Sequence, residues 1–325
     1  MDYPAASSDL PSPRPRRLGP ALIAACLTLT ACGGASQAGV KPSSTDKPSF
    51  EAATDHPMCV VLSVGAQHGV AHLGALRAIV QNPRLPIACV AGASMGSLAA
   101  SVLASAPAED PVVRYGALME RYRRDTAVEA GGRATLGAIA GFVLLGPLGA
   151  AAGAAGGVGS VDRVNWERFV ASMDDFYRGA QIEGLPLSYI NFHQRIDKLG
   201  PQPVTVADGN LAQAVGASIA NPLIFDELEA RDIERLDPGM DSLLRVPIEA
   251  TCAHFPRSRI LAINVTRQAA VYRSEIPCPV WEISIPPIEA PTDAMDPESD
   301  AFSKLVEHGE RVTRQALERA GIPPA

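Results

Sequence analysis

Gly92-Ala93-Ser94-Met95-Gly96 sets one serine between two glycines, after the apolar run Leu85–Ala91 and before the helix-competent run Ser97–Leu103. Strand, G-x-S-x-G, helix is the context in which a sharp turn lifts a serine hydroxyl to the end of a sheet as a nucleophile. Gly92 and Gly96 fit such a turn because it presses backbone against backbone. The helix that follows offers N–H groups and a positive dipole end to a developing negative charge. The chemistry these residues suit is acyl transfer. A serine hydroxyl is a weak nucleophile and needs a base within hydrogen-bond reach, and the tetrahedral oxyanion needs preorganised donors. The same five residues without a base or donors are a small-residue turn in a chain rich in glycine and alanine.

A second loop lies upstream, in Leu62-Ser63-Val64-Gly65-Ala66-Gln67-His68-Gly69-Val70-Ala71-His72-Leu73-Gly74. A glycine loop that closes a strand and opens a helix gathers backbone N–H groups at one point, for a phosphate or for an oxyanion. The Gly-Lys-Ser/Thr of a P-loop is absent and the G-x-G-x-x-G spacing is not met. The serine turn that follows favours the oxyanion use. Its candidate donors are the N–H groups of Gly65, Ala66 and Gln67, with His68 and Gly69 as loop support and His72 on the helix behind.

These loops require strands to aim them. Continuous apolar runs predict strands over Met58–Val64, Ile87–Ala91, Leu187–Phe192, Val204–Val206, Ile260–Val265 and Val280–Ile285. Helices are expected over Val70–Val80, from the serine turn to Ala104, and over Val112–Asp125 and Asp162–Tyr177. A last one, over Asp300–Ala320, carries Phe302, Leu305, Val306, Val312, Ala316 and Leu317 at helical spacing. Strands alternating with helices predict an α/β fold with a largely parallel sheet and helices on both faces.

Of 325 residues, 47% are hydrophobic and only 5% aromatic, which builds a core from aliphatics and alanine; the net charge of −7 argues against a nucleic-acid partner. Arg14, Arg16 and Arg17 precede the uncharged stretch Leu18–Ala31, which ends in Leu29-Thr30-Ala31-Cys32. This order resembles a bacterial lipoprotein signal. It implies a signal peptide over 1–31, lipid on Cys32, a tether over 32–56 and a folded domain over 57–325. The protein would then be exported and held on the cell envelope, at the outer membrane where there is one; the other reading is an ordinary cleaved signal. Cys59, Cys89, Cys252 and Cys278 remain, either as two disulfides in one of three pairings or as buried thiols. No C-x-x-C occurs, and His56, His193, His254 and His308 lack paired spacing, so neither a metal nor another cofactor is expected. The uncharged segment 134–161, interrupted by Pro147, reads as a lid, a buried hairpin or a Gly/Ala loop.

Three stretches together resemble the patatin-like phospholipase family: the glycine loop running into Ala71-His72-Leu73-Gly74, Gly92–Ser97, and Leu211-Ala212-Gln213-Ala214-Val215-Gly216-Ala217-Ser218-Ile219-Ala220-Asn221-Pro222. The resemblance covers about residues 59–322. It implies a patatin-like three-layer fold and a lipid acyl hydrolase working with a serine–aspartate dyad, without cofactor, on membrane lipid or long-chain esters. Ser94 would be the nucleophile. In Asp237-Pro238-Gly239-Met240-Asp241, Asp237 best matches the family's Asp-Gly-Gly/Ala and Asp241 is the second choice. Two departures stand out. Val64 and Ala66 take glycine positions of the family's Gly-Gly-Gly-x-Arg/Lys-Gly, where a Cβ strains any positive φ. Pro238 replaces the glycine after the aspartate. Two other readings exist: a lipid-binding or envelope module that keeps the fold without hydrolysis, and an α/β-hydrolase triad with His308 last in chain order.

Overall fold

Strand β1, Met58–Leu62, is Met-Cys-Val-Val-Leu and is buried at every position, as a strand covered on both faces must be. The computed structural model describes residues 50, 56–129, 164–197, 200–220, 225–226, 237–289 and 293–322, all within one unit, Ser44–Ala325. The signal, Cys32, the tether apart from Phe50 and His56, and the 134–161 segment lie outside the described residues.

β1 is followed by helix α1 (Ala71–Val80), β2 (Ile87–Ala93), α2 (Met95–Ser105) and α3 (Pro111–Glu129). A short β3 (Val164–Asn165), α4 (Trp166–Tyr177), β4 (Ser188–Asp197), β5 (Gly200–Val206) and α5 (Leu211–Ile219) come next. The chain ends in β6 (Phe225–Asp226), α6 (Ile248–His254), β7 (Arg259–Asn264), β8 (Val280–Ser284) and α7 (Asp300–Arg319). The main sheet has the order β5-β4-β2-β1-β7-β8, and β3 pairs with β6 apart from it. All its neighbours are parallel except the β4–β5 hairpin. β1 thus sits between β2 and β7, with Leu62 opposite both Gly92 and Ile263. Parallel strands leave the sheet at one edge, and the loops after β1, β2 and β7 emerge there together.

The period of two sorts the strand residues onto two faces. Met58, Val60 and Leu62 join Val90, Tyr189, Leu261 and Ile263 in the larger core, to which α1, α2, α3, α4, α5 and α7 all contribute. Val61 faces the other way with Ala91, Ala93, Ile190, Phe192, Ile260 and Ala262. That second face is covered by α6, through Ile248 and Cys252, and by Leu244, Val246, Ile276 and Cys278. The two helical layers are therefore unequal. Cys252–Cys278 ties α6 to the segment entering β8, and Cys59–Cys89 joins β1 to β2 at opposed register positions. Among the described residues no helix is long and apolar enough to cross a membrane.

The largest helix contact is that of α7 on α1, made close by two glycines. A Cβ on Gly74 would strike the Val306 carbonyl, and one on Gly309 the Ala71 carbonyl. Ser299 caps α7 by accepting from the Phe302 N–H at 3.0 Å, and Gly321, at φ +74°, follows its end.

Candidate active site

β2 delivers Ser94 at φ 54° and ψ −128°, and α2 begins at the next residue. A side chain held in that conformation costs about 1–3 kcal/mol and persists only where its surroundings fix it. Two close approaches do so. The Cβ that Gly92 lacks would overlap the backbone of Gly96, and the Cβ that Gly96 lacks would overlap the carbonyls of Ser63 and Leu62. The Ser94 N–H donates to Ser218 Oγ at 2.8 Å, and Ser218 Oγ donates to the Phe192 carbonyl at 2.5 Å. Ser218, on α5, is fully buried and so bridges the serine turn to β4. One turn along α2, Ser97 Oγ meets Tyr189 OH at 2.7 Å and accepts from Asn191 Nδ2 at 2.6 Å. Burial pushes the Tyr189 phenol up, so it stays a neutral partner.

Ser94 Oγ donates to Asp237 Oδ2 at 2.5 Å. The other carboxylate oxygen accepts the Gly239 N–H at 2.8 Å, and the Asp237 N–H donates to the Ala220 carbonyl at 3.0 Å. Asp237 caps a 3-10 turn over Pro238–Met240 with proline in its first position. A helical first position needs no N–H, so the proline costs nothing there and Gly239 supplies the donor instead. Burial pushes the Asp237 carboxyl up to about 6, against the hydrogen bonds from Ser94 and Gly239, which favour its ionised form. It is mostly ionised at neutral pH and more basic than an ordinary carboxylate.

Asp241 sits elsewhere in this segment's hydrogen bonding. Its Oδ1 accepts the N–H groups of Leu243 at 2.8 Å and Leu244 at 3.3 Å, and its Oδ2 accepts from Gln194 Nε2 at 3.2 Å. These bonds make it the anchor of a turn. His308 is also committed: it donates from Nε2 to the Pro286 carbonyl at 2.8 Å and accepts from Arg311 at Nδ1, 2.9 Å away. Ser94 bonds directly to a carboxylate, with no imidazole between them.

The glycine loop continues as a 3-10 turn over Ala66–Val70 that runs into α1. The first N–H groups of a helical turn have no partner within it, which leaves Gly65, Ala66 and Gln67 as the candidate donors. Gly69 lies against Met95, where a Cβ would strike the methionine side chain, so the loop rests on the residue after Ser94. Ala66 is at φ 43°, a left-handed conformation that its Cβ disfavours. His68 donates from Nε2 to the Ile288 carbonyl at 2.9 Å. His72 is fully buried and donates from Nε2 to the Ser63 carbonyl at 2.8 Å; burial pushes its pKa down to about 4, so it is neutral. Ser63 Oγ donates to the Val64 carbonyl at 2.7 Å and accepts the Val265 N–H at 3.1 Å. The loop is thus held from α1, β7 and the 286–289 segment. Among the described residues no group of His, Cys, Asp and Glu is arranged to hold a metal.

Ser218 and Gly239 hold site roles that the sequence alone does not announce. Both stand in the stretches singled out for other reasons, but a hydroxyl on a helix and a glycine after a proline acquire these roles only through tertiary contact.

Residues 60–250 match the model of the patatin-like phospholipases. No curated protein matches the chain. Among solved structures, it is similar to the ExoU–SpcU complex of the type III secretion system of Pseudomonas aeruginosa, at 18% identity and a TM-score of 0.38, covering 85% of this chain and 52% of that one. It is also similar to VipD from Legionella pneumophila, at 12% identity and a TM-score of 0.37, covering 81% of this chain and 67% of that one. The chain spans about half the length of the first of these. With the family match spanning the glycine loop, the serine turn and the aspartate turn alike, the chain belongs to the patatin-like phospholipase family.

Proposed function

We propose that this protein is an exported, lipid-anchored serine hydrolase that cleaves phospholipid or other long-chain acyl esters at a membrane surface with a Ser94–Asp237 dyad. The observation that carries this reading is the 2.5 Å hydrogen bond from Ser94 Oγ to a carboxylate made unusually basic by burial. Asp237 Oδ2 takes the proton as Ser94 Oγ bonds to the ester carbonyl carbon. The N–H groups of the Gly65–Gln67 turn receive the oxyanion; one such donor is worth about 2.7–4 kcal/mol. The intermediate collapses, the alcohol leaves with the proton held by Asp237, and an acyl-serine remains. Water, deprotonated by the same carboxylate, then releases the fatty acid and restores Ser94. Family membership supports a lipid ester as the substrate class. The Arg14–Cys32 signal supports export and anchoring.

A fluorophosphonate probe tests the reading. Wild-type protein is expected to be labelled at Ser94 and to release fatty acid from phospholipid vesicles, and Ser94→Ala to do neither. Folded protein that is neither labelled nor active would leave the lipid-binding module as the reading. Incorporation of labelled palmitate, lost in Cys32→Ser, tests the anchor.

A further inference from the structure

Among the described residues, four large apolar side chains keep a third or more of their surface exposed: Val113, Leu243, Val271 and Tyr272. Val113 stands alone on α3. The other three lie on two loops at the edge of the sheet where Ser94 sits. Leu243 is in the turn that Asp241 anchors, six positions after Asp237. Val271 and Tyr272 are in the loop after β7, Arg267-Gln268-Ala269-Ala270-Val271-Tyr272-Arg273, which is exposed at every residue but the half-buried Ala270. Both loops are tied to the base of the glycine loop. The Arg245 carbonyl accepts the Val64 N–H at 2.9 Å, and Val265 donates its N–H to Ser63 Oγ at 3.1 Å. Their far sides are joined too. The Arg273 N–H bonds Glu249 at 3.3 Å and its guanidinium pairs with the same carboxylate, in the first turn of α6 just after Leu243–Pro247.

An apolar stretch with an aliphatic and an aromatic tip, bracketed by arginines, is composed for a bilayer interface. The apolar tips enter the acyl boundary, tyrosine suits the headgroup level, and arginine reaches the lipid phosphates. The charge balance singles out this loop further. The chain carries a net −7, yet this loop from Arg267 to Arg273 holds no anion; Glu249 holds Arg273, which leaves Arg267 to face lipid phosphate. Placed elsewhere, exposed Val and Tyr would mean little. Here they share the edge from which Ser94 and Asp237 must reach an ester.

We propose that residues 241–245 and 267–273 form a lipid-docking edge that seats the protein on an anionic bilayer beside its catalytic serine. The choice of a bilayer as occupant rests on the hydrolase reading above. The test does not require hydrolysis. Full-length Ser94→Ala protein carrying Tyr272→Trp is mixed with vesicles of phosphatidylcholine and phosphatidylglycerol that bear brominated acyl chains. Fluorescence quenching is expected well beyond that of the Ser94→Ala parent, whose only tryptophans are Trp166 and Trp281. Equal quenching in the two proteins overturns the proposal. So does quenching as strong on pure phosphatidylcholine, which removes the part of Arg267. An emission change that follows protein concentration without lipid assigns the patch to a second copy of the chain and also overturns it. In the active protein, Val271→Ser with Tyr272→Ser is expected to lower vesicle hydrolysis about tenfold and leave a soluble short-chain ester within about twofold, from the lost apolar contact. Equal losses on both substrates would make the loop a structural element only. Failure of Ser94 to take the fluorophosphonate leaves the quenching result standing, so the two readings fail separately.

Discussion

Asp237→Asn replaces one carboxylate oxygen by an amide nitrogen of the same shape. The Asn carbonyl can still accept the Gly239 N–H, which now reaches Asp237 Oδ1 at 2.8 Å. The amide nitrogen then faces Ser94 Oγ, which lies 2.5 Å from Oδ2, and an acceptor has become a donor. The serine proton loses its destination, so kcat should fall by about 10²–10⁴-fold, the range of a positioned general base. Stability should move the other way, and with pH. Burial holds the Asp237 carboxyl at about 6 in the folded chain against an ordinary 3.8. The native state binds this proton more tightly than the unfolded chain. The stability it contributes is therefore fully present below pH 3.8 and is lost as pH rises through 6. At 1.36 kcal/mol for each tenfold change in proton affinity, the ionised carboxylate destabilises the fold by about 3 kcal/mol above pH 7. Asn does not titrate, so the variant should be more stable than wild type by up to about 3 kcal/mol at pH 8, and nearly equal to it at pH 4. Denaturant unfolding at the two pH values, with ester turnover in parallel, measures both effects. Turnover within tenfold of wild type, or a stability gap that is the same at both pH values, would refute the assignment of Asp237 as a buried base.

Wild-type kcat/KM should rise tenfold per pH unit up to about pH 6 and then level as Asp237 ionises; a profile flat from pH 4 to 8 would contradict this. Ala66→Gly removes a Cβ from a residue at φ 43° and should stabilise the fold by about 1 kcal/mol, with equal or higher kcat, read by thermal unfolding and turnover. Ser218→Ala leaves the Ser94 N–H unpartnered in a buried turn; kcat should drop about tenfold with KM little changed, where a merely weakened fold would leave kcat per folded molecule intact. Joint replacement of Cys252 and Cys278 by serine opens a loop of 26 residues and should cost about 3.5 kcal/mol, seen as a lower denaturation midpoint than that of oxidised wild type.

The central strands β1, β2 and β7 were legible because burial on both faces leaves a continuous apolar run: they begin within a residue of their expected starts and end within two. The hairpin was not. Only Val204–Val206 was expected of β5, because Pro201 and Pro203 interrupt the run. Yet β5 is an edge strand, where a proline's missing N–H faces no neighbour. The apolar pattern puts the start of α1 at Val70, while residues 66–70 coil as a 3-10 turn on the way in. Among the site residues, Ser94 announced itself because its turn is local and needs two glycines at fixed spacing. The choice between Asp237 and Asp241 could not be read locally, since both stand in polar turns. Contact with Ser94 separates them: Asp237 meets its hydroxyl, whereas Asp241 bonds the N–H groups of its own turn and Gln194. The cysteine pairing depended on strand register, which sets Cys59 opposite Cys89 and which no property of the two residues discloses.

The position of β1 bears on when this chain can fold. Its strand at Met58–Leu62 pairs on one side with β2, soon after it in sequence, and on the other with β7, about 200 residues further on. Until Arg259–Asn264 has been made, the strand that carries the glycine loop is an open edge, and α7, which clamps α1 through Gly309, does not yet exist. The backbone contacts of the serine turn lie close in sequence, while the strand and helix that close around it come late. A fragment ending near residue 250 would hold every residue of the dyad and still present an unpaired, wholly apolar edge to aggregation. Under the proposed export, that delay has a use: the sheet cannot shut, and Ser94 and Asp237 cannot be set at their full geometry, until β7 and α7 have followed.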